Sequence, residues 1–152
     1  MKKFKFTLQT VHNVREMRQE REQMTLAEMQ SEVNLAAERI AQIEKMRFEA
    51  VEKYTQRLRA GEVLNATEME LNTKYFSSLD GLQREAEKIL LEKNQACAAQ
   101  RAKLASAARE VQITERLREQ QVLRHQLETN KNEQNALDEM VSAGFARKMR
   151  TQ

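Results

Sequence analysis

The stretch Leu26–Tyr54, LAEMQSEVNLAAERIAQIEKMRFEAVEKY, decides the fold. Leu26, Met29, Val33, Ala36, Ile40 and Ile43 recur in alternating steps of three and four, and Arg47, Ala50 and Tyr54 continue the series. This alternation keeps one narrow stripe along one side of an α-helix, the pattern of a helix that pairs with another helix. Upstream, Phe4, Leu8, Val11, Val14 and Met17 form a second apolar stripe. Arg15 to Gln23 between them is polar, so the spacing predicts a register shift there.

The helix is expected to stop at Ala60-Gly61-Glu62-Val63-Leu64, where Gly61 is placed to cap a C-terminus. Asn65 or Thr67 can cap the next helix, and Glu68 three residues after Asn65 completes a capping box. In the second arm Leu90, Cys97, Leu104 and Val111 recur at sevens. The companion positions Leu79, Ala86, Lys93, Gln100, Ala107 and Thr114 are weaker, which points to close helix approach and modest stability. Leu117, Leu123, Leu127, Leu137 and Met140 carry apolar character further along the arm. Asp80-Gly81 interrupts the arm, so residues 66–80 could form a short separate tip helix.

The expected fold is all-α, a long antiparallel two-helix coiled coil with its turn near residues 60–66. It is read as one coiled-coil domain over 1–152, with a first arm over about 4–59 and a turn over 60–65. The second arm runs over about 66–142 and ends in a frayed C-terminal tail. The second arm is the longer unless the tip segment folds aside.

Composition agrees. The chain has no Pro and no Trp, and 5% aromatic against 32% charged residues is too poor in bulky side chains for a broad core. The regular apolar spacing argues against disorder, the competing reading of a charged chain. Net charge is +3, with acids and bases interleaved as in Arg15-Glu16 and Glu20-Arg21-Glu22. Such alternation marks a solvated face laced with ion pairs rather than a one-signed nucleic-acid groove. Small basic clusters lie at Lys2, Lys3, Lys5 and at Arg147, Lys148, Arg150. One cysteine excludes a disulfide within the chain. No window approaches a transmembrane span, so no direct membrane insertion and a cytoplasmic location are expected.

No phosphate loop, nucleophile elbow or paired CxxC is present, so no catalytic residue, cofactor or metal is expected. Cys97 lies on the apolar seam as an inert thiol. His12 and His125 read as surface histidines without a third ligand at helical spacing. Tyr54, Tyr75, Phe76 and Leu79 cluster about the turn, where they either plug the end of the hairpin or form an exposed patch for a partner. Arg15, Arg18 and Arg21 fall at threes in the polar stretch, as a solvated face or one offered to an acidic partner.

The opening Phe4-Lys5-Phe6-Thr7-Leu8-Gln9-Thr10-Val11, followed by Val14-Arg15-Glu16, resembles the start of the flagellar export protein FliJ family. Asn132-Glu133-Gln134 through Leu137-Asp138-Glu139-Met140 resembles its closing segment. Tyr54-x-x-x-Leu58 and Tyr75-Phe76-x-x-Leu79 fit its turn region. The resemblance implies an antiparallel coiled coil similar to the central stalk of rotary ATP synthases. It implies a non-enzymatic protein that engages and stimulates the hexameric flagellar export ATPase, contacts the export gate and recycles escort chaperones. Such a protein sits in the cytoplasm, peripheral to the inner membrane at the flagellar base.

On that resemblance Leu8, Val11, Arg15, Arg18, Asp138 and Glu139 face the ATPase, and Tyr54, Tyr75 and Leu79 face the export gate. A monomer in isolation is expected. The alternatives are a self-assembling structural coiled coil and the equivalent stalk of a virulence type III secretion system.

Overall fold

The computed structural model describes residues 3–150, which places Lys2 of the N-terminal basic cluster outside the described residues. Two helices, α1 (Gln9–Arg59) and α2 (Ala66–Arg150), pack against each other in an all-α helical hairpin. Among the described residues there is no strand. The chain divides into two compact units, one of residues 21–105 and one joining the segments up to 20 and from 106.

The turn forms as its residues dictate. Gly61 adopts φ +76°, a left-handed conformation that costs glycine nothing. Glu62 N–H then donates to Arg57 C=O at 3.2 Å and Gly61 N–H to Leu58 C=O at 3.2 Å, closing the last carbonyls of α1. The Arg57 guanidinium donates to Glu62 at 2.7 Å, and this hydrogen bond raises its pKa above the ordinary arginine value. At the start of α2, Asn65 Oδ1 accepts from Glu68 N–H at 2.8 Å, and the Glu68 carboxylate reaches back to Asn65 N–H at 3.4 Å.

In the unit of residues 21–105 the helices run antiparallel. Glu22 meets Gln100, Glu32 meets Lys93 at 2.7 Å, and Arg47 meets Asp80 at 2.7 Å. The seam buries Val33 and Ile43 of α1 against Leu79, Ala86 and Cys97 of α2. Of the companion positions expected to be weak, Leu79, Ala86, Gln100, Ala107 and Thr114 are buried, and only Lys93 is not. Small side chains let the backbones approach, and long ones such as Lys93 and Arg47 carry their charge out to an acidic partner.

No separate tip helix forms over 66–80. Leu79 is 2% exposed and Asp80 is held by Arg47, so the seam carries the helix through Gly81. A mid-helix glycine costs only about 1 kcal/mol, less than the burial of Leu79 returns.

In the other unit Phe4 packs edge-on to His125 with centroids 5.7 Å apart, His12 meets Thr114, and Arg18 meets Glu110. This order is again antiparallel. Three expectations do not hold. First, α1 begins at Gln9 rather than Phe4, because residues 3–6 are not helical. Free of the helix, Phe4 reaches His125 and Phe6 is buried. A helix would set those two rings on different sides.

Second, the register does not shift. The heptad series of Leu26–Tyr54 continues backwards through Glu22, Gln19, Arg15 and His12, all turned toward the seam. Val14 and Met17, expected on the stripe, are 60% and 59% exposed. A shift would require a stutter in the winding and would leave the Gln100 amide and the Thr114 hydroxyl facing aliphatic carbons. The native register pairs them instead. At the other end α2 continues to Arg150, past the end expected near 142.

Candidate interaction surfaces

Three surfaces emerge, two in the unit formed by the segments up to 20 and from 106, and one in the unit of residues 21–105. The first is the polar seam. His12, 4% exposed and so not a surface histidine, sets Nδ1 2.8 Å from Thr114 Oγ1 and Nε2 3.1 Å from Glu16. Thr114 Oγ1 also lies 2.9 Å from the Val111 carbonyl. Arg15 donates to the Glu110 carbonyl at 2.9 Å, and Arg18 lies 3.3 Å from the Glu110 carboxylate. Among the described residues no buried side-chain nitrogen or oxygen lacks a partner, so this polar stretch is a built seam. Arg15 is spent inside it, and Arg15, Arg18 and Arg21 do not form one presented face.

With the polar residues inside, the apolar ones lie outside. Leu8 just before α1 and Val11, Val14 and Met17 on α1 are exposed. Beside them the non-helical segment and α2 bound a groove of about 1000 Å³, lined by Phe4, Lys5, Arg124, His125, Glu128 and Asn132 among others.

The second surface is the end of α2. Every residue from 131 to 150 is exposed, Asp138 and Glu139 included. This is a single-helix extension with Leu137, Met140, Val141, Phe145 and Met149 in the open.

The third surface is near the turn. Tyr75 and Phe76 stack edge-to-face with centroids 6.1 Å apart, and Tyr54 is half-buried. Leu79 is core and presents nothing to a partner. Tyr75, Leu82 and Ile89 follow at sevens, all partly exposed along one flank of the seam. The sequence carries that spacing beside Phe76, Gln83 and Leu90. Phe48, 69% exposed, is not among the expected residues, although its position off the stripe signals it.

Among the described residues no cluster of three His, Cys, Asp or Glu could hold a metal ion. Cys97 is a buried free thiol, and no described helix is long and apolar enough to cross a membrane. What the arrangement offers is binding surface: apolar stripes, an aromatic patch and a free-standing helix.

The family described as Flagellar FliJ protein matches residues 4–150. The chain belongs to the FliJ family. That membership makes the chain a component of the flagellar protein export apparatus. Neither a search of characterised proteins nor a search of solved structures returned a significant match.

Proposed function

We propose that this FliJ-family protein is a central-stalk-like coiled coil that binds and stimulates the export ATPase ring and links it to the export gate and to escort chaperones. The observation that carries this reading is the exposed end of the terminal unit. There α2 outruns α1 as a lone helix, and Leu8 just before α1 and Val11 on it lie exposed. A thin helical end with unspent apolar side chains suits insertion into a ring lumen. Leu8, Val11, Arg18, Asp138 and Glu139 then face the ATPase, with Arg15 holding the seam behind them. Tyr75, edge-to-face with Phe76, faces the export gate together with the half-buried Tyr54, and Leu79 holds the core of the same unit.

On this reading the protein works in the cytoplasm, peripheral to the inner membrane at the flagellar base. Binding to the purified export ATPase tests it. Val11→Asp sets a charge on the half-exposed stripe and, with circular dichroism showing the helices intact, should weaken the complex about tenfold or more. Unchanged binding by that variant would remove the stripe from the interface.

A further inference from the structure

We infer that the single-helix extension of α2 is a self-association element whose occupant is the same segment of a second copy, packed antiparallel and centred on Ala143. The extension carries Leu137, Val141, Phe145 and Met149 at steps of four, each exposed by more than half. A lone solvated helix has no use for such a ridge. The ridge is symmetric about Ala143. In an antiparallel pair Leu137 lies toward Met149 of the second copy, and Val141 toward its Phe145.

Ridges of four-residue spacing interlock across two helices, and they do so best where the backbones come close. Ser142, Ala143 and Gly144 supply that close point. A methyl group built on Gly144 would meet nothing of this chain within 4 Å.

Charge selects the direction. Lys131 apart, the first half of the extension is acidic, with Glu133, Asp138 and Glu139, and the second half carries Arg147, Lys148 and Arg150. Antiparallel pairing lays each acidic half along a basic half, and two-fold symmetry makes the match twice. A parallel pair would set like on like along its whole length. An anionic lipid surface would welcome the basic half but be opposed by Asp138 and Glu139 beside the same ridge. The inference replaces the monomer expected from the sequence. It does not rest on the ATPase reading, because it is measured on this chain alone.

Sedimentation velocity of the full chain over a concentration series tests it. A reversible dimer forming on the order of tens of micromolar is expected for an interface of this small size. Val141→Asp should leave only monomer, with circular dichroism confirming that the helices persist. Asp138→Lys with Glu139→Lys, and separately Arg147→Glu with Lys148→Glu, should each weaken the homodimer about tenfold. An equimolar mixture of those two chains should restore dimer, since each acidic half again meets a basic one. Monomer at every concentration, a dimer indifferent to Val141→Asp, or a mixture no stronger than its components would overturn the proposal. So would a monomer that binds vesicles of anionic phospholipid through this segment.

Discussion

The register of α1 yields the sharpest comparison, between His12→Ala and Val14→Ala. In the structure His12 is buried, and Val14 is 60% exposed. Removing the imidazole deletes the 2.8 Å link to Thr114, worth about 1 kcal/mol. Lost packing of the ring adds about 1 kcal/mol. Alanine's higher helix propensity returns about 0.5 kcal/mol, leaving a net loss of about 1–2 kcal/mol. For Val14→Ala the surrendered burial is less than half a valine's, about 0.5 kcal/mol, and the propensity gain cancels it. Urea unfolding followed by circular dichroism should therefore show a lower midpoint for His12→Ala and none for Val14→Ala. A Val14→Ala loss exceeding that of His12→Ala would mean that the seam carries the apolar stripe, and the register described above would be wrong.

Leu79→Ala should cost about 2–4 kcal/mol in the same assay, as a leucine taken from a buried site does, whereas Tyr75→Ala should cost less than about 1 kcal/mol. Only Tyr75→Ala then reports on the gate surface: it should reduce swimming in soft agar with helicity intact, and normal swimming would withdraw Tyr75 from that surface. Gly61→Ala should destabilise by about 1 kcal/mol because φ is +76° there, while Gly81→Ala should stabilise by up to about 1 kcal/mol, since it sits mid-helix with open space around it. Opposite signs in thermal melts are the expected outcome. Asn65→Ala removes the cap on α2 and should cost about 0.5–2 kcal/mol, read by the same melts.

The parts of the fold written in local chemistry were legible. Gly61 and the Asn65–Glu68 pair announced the turn, and the stripe from Leu26 to Tyr54 announced the seam. The segment from His12 to Glu22 was not legible, because which residues enter a seam depends on what faces them. Thr114 and Gln100 provide hydrogen-bonding partners, so His12 and Glu22 go in and Val14 and Met17 stay out. Polarity was read as a break when it was a match. Asp80-Gly81 misled for a similar reason: a local helix breaker is overridden once Leu79 is buried and Asp80 is paired across the seam. Of the surfaces, Tyr75 was visible as an aromatic near the turn. The flank of Leu82 and Ile89 was hidden beside stronger seam positions, and Leu79, legible both as a seam position and as part of the aromatic cluster, lies in the core.

The central claim is that this FliJ-family chain acts on the export ATPase through its exposed terminal end. ATP hydrolysis by the export ATPase of the same organism, measured with and without the full chain, tests it most directly. The account predicts stimulation accompanied by ring formation, and its loss when Val11→Asp is combined with Asp138→Lys and Glu139→Lys. An ATPase whose rate and assembly are unchanged by the wild-type protein would contradict it.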